Sequence, residues 1–477
     1  MDSYFQILVV HNSSLFQSYM LRHIRHHSSS YLLIVSVGIF AIFNTIFVQY
    51  SNFLSHIGHG IEVIQPLFFV GGLFLLGTIC FSLSRGTIFP SFLVALFIGL
   101  SMHDLLRPLV ENSHVLNLIV TISAVYILFG GGLEISFASF KKIVLPTLLL
   151  STIGLALSTF LFAGSLTLVS STFGFGMSVS IALLLGAILA STDPAAIIPV
   201  LKELKFKKER IKDIVISESA LTDVTGTLVT VAFIAFLTKG GEFTSIMSGF
   251  GALGSLDSLS FLVKEVVIGS IVGVIGFYAI RFFVRQRMLR AECHADIGFF
   301  IAIPLMAYAF AMLFGGSGYL ASFVAGLLVV LNERVHKTET FFNQLVEGIA
   351  KPTVFIILGA LVDIQTLLEY SLFGIIAGLL FIFVIRPVSV FISLGGLHAF
   401  PKIAFSMKEL LFMSWVRETG VIPAVLLVQT AYSGLKAVGS VTEANMLISI
   451  GMWVIMMTLI IQPPLTQLVA RKLDIAE

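Results

Sequence analysis

Apolar residues fall in long unbroken runs along this chain, separated by short polar stretches. The runs cover residues 31–49, 63–83, 87–102, 115–133, 143–170, 177–201, 214–237, 261–284, 295–314, 318–332, 349–362, 371–394, 408–430 and 445–468. A helix that crosses the hydrocarbon of a bilayer needs about 20 such residues. The pattern therefore predicts an all-α membrane protein with about 13–14 transmembrane helices. The shortest runs are expected to be tilted, broken or supported by neighbours. The first run stands apart as an extra helix. The chain divides into an N-terminal stretch 1–62 that includes this helix, a transmembrane domain 63–470, and a tail 471–477 too short to fold by itself.

Composition sharpens the class. Of 477 residues, 57% are hydrophobic and 11% charged, with a mean hydropathy of +1.02. Soluble domains carry about 25% charged residues, so a soluble fold is excluded. A net charge of only +2 suggests no nucleic-acid partner. Cys80 and Cys293 lie too far apart to suggest a disulfide framework or a metal motif. The stretch Arg22–Ser30 precedes a new apolar run without a small-residue cleavage pattern, so the start does not read as a signal peptide. Its His23, His26 and His27, beside Arg22 and Arg25, read as a solvated tail.

Charge placement orients the helices. With both termini cytoplasmic, the inside loops and helix ends hold about 22 Lys and Arg, against about four outside (Arg107, Lys239, Lys264 and Lys436). Six of the inside charges lie between Lys202 and Lys212. This is the imbalance of the positive-inside rule. It supports an even number of spans and an external loop at 238–260. A multi-pass protein of a cell membrane is expected, and the lack of a large domain after the last run suggests a bacterial inner membrane.

Asp193, Glu218, Asp223 and Arg386 sit inside segments that otherwise read as lipid-buried helix. A bare charge near the bilayer centre costs roughly 2.5–3.5 kcal/mol on insertion scales. Such groups must pair or carry something. Run 177–201 holds Ser191-Thr192-Asp193-Pro194 and then Pro199. Proline lacks an N–H and clashes with the carbonyl four residues back, so the carbonyls of Ala190 and Ala195 lose their helical donors. Run 408–430 is interrupted by Arg417-Glu418-Thr419-Gly420 and Pro423. Two broken helices in separate halves point to inverted repeats around a transport site.

Run 214–237 carries the charge. Asp223 lies nine residues into it, about 14 Å along the helix axis and near mid-membrane. Ser219 is four residues earlier, on the same face. Glu218 stands about 140° around the helix from Asp223, so the two acids should do different jobs. Arg386 cannot deprotonate and needs a carboxylate. Glu218 is the candidate, Asp193 the alternative, and spacing leaves both open. Asp223 is then the exchangeable group. An ionised carboxylate without a counter-charge is costly in low dielectric, which leaves it either protonated or bound to a monovalent cation. If only those two states cross, cation and proton must exchange. Oxygen ligands suit hard cations such as Na⁺. Ser219, Thr192 and the freed carbonyls near 190–195 are the candidates to complete the shell.

Thr192-Asp193-Pro194 followed by Glu218-Ser219, Thr222 and Asp223 resembles the paired motifs of the monovalent cation:proton antiporters, the sodium/proton exchanger family. Gly318-Tyr319-Leu320-Ala321, Phe323-Val324-Ala325-Gly326-Leu327, Phe129 with Gly132-Leu133-Glu134, and Arg386-Pro387 are similar to further signatures. The resemblance covers roughly residues 65–470. It implies a homodimer, a six-helix core beside a dimerisation part, two interrupted crossing helices, and an elevator-like motion. It implies Asp223 as the shared site for Na⁺ (or Li⁺) and H⁺. Ser219, Thr192 and Thr222 then lie around the cation, Asp193 steadies the crossing, and Glu218 with Arg386 forms a structural pair. Glu134, Arg417 and Glu418 are further candidates. No cofactor is expected beyond the transported cation.

Two departures bear on ion choice. Thr222 stands where the family has Asn or a second Asp, which favours one-for-one exchange. Arg417-Glu418-Thr419-Gly420 replaces an Arg-Gly pair, and Glu418 is placed to neutralise Arg417 locally. A K⁺/H⁺ antiporter is the near alternative, and a passive cation channel the distant one. No nucleophile–base set suggests an embedded hydrolase.

Overall fold

The computed structural model describes residues 61–84, 90–135, 137–191, 201, 204–288, 296–329, 333–399, 404–435 and 440–476. The first apolar run, the N-terminal His cluster, Thr192 and Asp193 lie outside the described residues.

Helix α1 (Ile61–Ser84) is followed by α2 (Ser91–Ser101) and α3 (His103–Glu111). These last two meet at a 90° bend. The reason is in their sequences. Ser91–Ser101 is apolar almost throughout, whereas His103–Glu111 is amphipathic: Leu105, Leu106, Leu109 and Val110 are buried while Arg107 and Glu111 face out. A helix of that pattern lies along an interface rather than through a bilayer.

Helix α4 (Ser113–Leu133) starts at Asn112, whose side chain accepts from the Val115 N–H. Helices α5 (Phe137–Leu149) and α6 (Leu155–Phe173) run as one through a π turn at Leu150–Gly154. Helix α7 (Val179–Leu189) begins at a Ser178 cap and stops at Ala190. The long α8 (Glu209–Thr238) is unbroken and carries Glu218, Ser219, Thr222 and Asp223.

Helix α9 (Ile246–Gly254) lies where the sequence suggested only an external loop. A reciprocal capping box between Ser245 and Ser248 starts it. Its glycines and short length hid it from a reading based on apolar runs. Helices α10 (Leu256–Met288), α11 (Asp296–Leu313), α12 (Gly318–Leu327) and α13 (Glu333–Leu345) follow.

Helix α13 runs on through a π turn at Val346–Ala350 into α14 (Lys351–Ala360). After the short α15 (Ile364–Glu369), helix α16 (Ser371–Leu380) passes through another π turn at Phe381–Ile385 into α17 (Arg386–Gly395). The two junctions have one cause. Pro352 and Pro387 each follow the first residue of the new helix and remove a donor from the carbonyl four residues back. Both orphaned carbonyls, of Gly348 and Phe383, fall inside the π turns, a local widening that accommodates such a break.

Helix α18 (Met407–Trp415) ends before an unwound stretch at 416–420, and α19 (Val421–Gln429) resumes beyond it. The last helix is α20 (Val441–Lys472). Among the described residues, seven helical stretches are long and apolar enough to span a membrane, or eight if the bent pair counts as one. Helices α7, α11, α12 and α19 are apolar but shorter.

Packing divides the helices into two groups. In one, α14 packs along α2 and α1, and α12 packs along α4, α10 and α11. In the other, α6 pairs with α7, α16 with α20, α17 with α18, and α8 with α5 and α7. Helix α19 lies between the groups, packing on α14 and α4 of the first and on α20 of the second. The crossing of α4 and α12 depends on glycine: a Cβ on Gly132 would press into the Phe323 carbonyl, and one on Gly326 into that of Phe129.

The tail, too short to fold by itself, is held by a distant loop. At Asp474 (φ 61°) the chain turns back, Phe206 and Ala476 form an isolated antiparallel bridge, and the Lys207 N–H donates to the Ile475 carbonyl at 3.0 Å. Ile475 and Ala476 are buried with Leu204, Phe206, Phe405 and Phe412. This partner comes from a loop some 270 residues away in sequence, which no tail-length argument sees.

Candidate functional site

Helices α8 and α17 bring Glu218 and Arg386 together. Nη2 of Arg386 donates to both Oε1 and Oε2 of Glu218 at 2.9 Å, and to the Met413 carbonyl at 3.2 Å. A second guanidinium joins them from the break between α18 and α19. Nη1 of Arg417 stands 3.4 Å from Glu218 Oε1. All three side chains are at most 3% exposed. One carboxylate thus faces two guanidiniums, in surroundings where an isolated charge is costly.

Arg417 also donates through Nη2 to the carbonyl of Ala190, the C-cap of α7. The sequence pointed to this freed carbonyl as an ion ligand. Instead it is taken by a cation from the other interrupted segment. The arrangement suits a helix C-terminus, where unsatisfied carbonyls and the helix dipole favour positive charge. Beyond it, the N–H and Oγ1 of Thr419 both meet Thr458 Oγ1, at 3.2 and 2.8 Å. Glu418 is buried.

Asp223 sits about 1.4 turns along α8 from Glu218 and is 6% exposed. Its Oδ1 accepts from Ser191 Oγ at 2.6 Å. Gly226 lets α8 approach this end of α7: a Cβ there would lie 2.9 Å from that of Ser191. Thr222 Oγ1 donates to the Ser219 carbonyl at 2.8 Å, within its own helix. Ser219 and Asp223 face a narrow cavity of about 30 Å³, room for a water or two. Glu134, Gly130 and Gly131 at the end of α4 line it, as do Asn343, Glu347 and Lys351. Glu134 is exposed and Asp223 buried, so the cavity runs from the surface to the buried acid.

Among the sequence candidates, then, Asp223, Ser219 and Glu134 share a cavity, and Glu218, Arg386 and Arg417 share a buried cluster. Thr222 is turned to its own backbone. Thr192 and Asp193 lie outside the described residues. Sequence reasoning passed over Ser191, although it opens the same break, and over Lys351, which it counted without naming among the inside loop and helix-end charges. The repeated cation–proline pair, Lys351-Pro352 beside Arg386-Pro387, was the available signal.

A third polar group ties the two sets of helices. Gln429, the last residue of α19, donates through Nε2 to Thr121 Oγ1 of α4 at 3.1 Å and to the Tyr319 hydroxyl of α12 at 2.8 Å.

Comparisons with known proteins agree with this architecture. The sequence profile of the family described as sodium/hydrogen exchanger, transmembrane, matches residues 70–472. The chain is 30% identical over 373 residues to a protein of Alkalimonas amylolytica named K(+)/H(+) antiporter NhaP, covering 75% of this chain and 59% of that protein. It is 24% identical over 401 residues to Na(+)/H(+) antiporter 1 of Methanocaldococcus jannaschii, covering 79% and 85%. The chain spans little more than half the length of the K(+)/H(+) antiporters it matches. The solved structure of the sodium proton antiporter from M. jannaschii superposes with a TM-score of 0.65 at 21% identity, over 86% of this chain and 99% of that one. The fold is that of this antiporter, and the chain is a multi-pass membrane protein that belongs to the sodium/hydrogen exchanger family.

Proposed function

We propose that the protein is a secondary active antiporter that exchanges a monovalent cation for H⁺, with Asp223 as the shared site. The observation that carries this reading is the division of labour between two buried acids on α8. Glu218 is engaged by Arg386 and Arg417. Asp223 lines a cavity with Ser219, accepts from the Ser191 hydroxyl, and lies near enough to Arg417 to attract its charge. A carboxylate so placed is neutral when protonated or cation-bound, and either neutral form is cheaper to move than the bare ion. Competition for one carboxylate gives electroneutral exchange. Asp193 and Thr192, which lie outside the described residues, belong to the proposed site by the family resemblance alone. The exchange unit spans 63–470, both termini are cytoplasmic, and the chain works as a homodimer in a cell membrane.

Na⁺, or Li⁺, is the proposed cation, because a carboxylate with hydroxyl oxygens is a hard-ligand site. The K(+)/H(+) names of several relatives favour K⁺ as the second reading. Proteoliposomes that report cation and proton flux together, with Na⁺, Li⁺ and K⁺ added in turn, test both. The expected result is coupled exchange in the natural protein and loss of both fluxes in Asp223→Asn. Coupled exchange that survives in the variant moves the site elsewhere. Cation conduction that a proton gradient cannot drive uphill identifies a channel.

A further inference from the structure

The cavity that ends on Asp223 contains an ion pair that plays no part in the exchange step itself. Lys351 Nζ lies 2.5 Å from Glu347 Oε1, and both residues line the same cavity as Ser219 and Asp223. Lys351 is 6% exposed, with its ammonium 6.0 Å from the centre of the Phe92 ring. Glu347, whose side chain is 33% exposed, stands in the π turn before α14. Pro352 stands in the first turn of that helix, so the pair spans the junction of the π turn with α14.

We propose that the Glu347–Lys351 pair sets the cavity's affinity for the cation: the Lys351 ammonium opposes entry, and Glu347 offsets it. The inference rests on the assignment of Asp223 as the site. The cavity admits a water or two, so an entering cation passes the wall without a full hydration shell. There it responds to fixed charges in a medium less polarisable than water. The intact pair is neutral and discriminates little. Removing the ammonium leaves a carboxylate that draws cations in. Removing the carboxylate leaves an ammonium that repels them. The two substitutions must therefore act with opposite sign, whereas a pair that only fastened α14 to the π turn would lose function in the same direction from either side.

The test is the cation concentration for half-maximal exchange, read in proteoliposomes for Lys351→Met, Glu347→Gln, Lys351→Arg and Asp223→Asn. Lys351→Met should lower it and Glu347→Gln should raise it, each by roughly tenfold, the order that a unit charge exerts at about 10 Å with an effective dielectric of about 20. Lys351→Arg keeps the charge and should stay near the natural value. Shifts of one sign in both neutralising variants, or no shift, overturn the inference. If Lys351→Met does not fold, Lys351→Gln takes its place, because the comparison of signs at 351 and 347 is the test: opposite shifts support the proposal, and shifts of one sign or none overturn it. Asp223→Asn separates the two levels. Exchange that persists there refutes the site itself. Exchange lost there, with flat responses at 347 and 351, refutes only the role of the pair.

Discussion

At the scale of residues, the buried charge cluster is both the strongest constraint and the easiest to break. Removing one partner of a buried pair leaves the other uncompensated, at a cost of about 3–5 kcal/mol. Glu218→Gln strands two guanidiniums, Arg386 and Arg417. It should lower the folded yield and the melting temperature in detergent, and a variant as stable as the natural protein would show that Glu218 is not their counter-charge. The spacing of Glu218 and Asp223 on one helix was legible in the sequence, because helical geometry alone separates their faces. The Arg417 contact with Ala190 was not. It joins residues 227 positions apart, and nothing local marks which carbonyl a guanidinium will find. Lys351 was passed over for a related reason: a charge near the end of an apolar run looks the same whether it reaches solvent or lines a buried cavity.

At the scale of elements, long apolar helices followed directly from the runs, and the departures occur where composition stops being uniform. Residues 87–102 looked like one span, but the structure adds the amphipathic turn of α3 at a right angle. The break between α18 and α19 follows from Arg417-Glu418-Thr419-Gly420, and the π turns follow from Pro352 and Pro387. Close crossings follow from glycine. Gly132→Ala drives a methyl group into the Phe323 backbone, which must spread α4 from α12. Overpacking of this kind costs about 1–3 kcal/mol. The variant should melt earlier, and an unchanged melting temperature would mean that the crossing is looser than described.

At the scale of the whole molecule, Gln429 provides a polar bridge from α19 to both α4 and α12. If exchange moves one group past the other, this bridge must open in each cycle. A double variant, Thr121→Cys with Gln429→Cys, should therefore stop exchange when oxidised and recover it on reduction. Full exchange by the cross-linked protein would exclude relative motion at this interface. Sequence alone suggested such motion only through the family resemblance, since long-range contacts of this kind leave no local pattern.

The central claim is that cation and proton compete for Asp223. It is tested most directly by the half-saturating cation concentration of exchange, measured in proteoliposomes as pH falls on the cation side. Competition predicts a rise of about tenfold per pH unit once the protonated carboxylate dominates, with the maximal rate held. A half-saturating concentration indifferent to pH across that range would contradict the account.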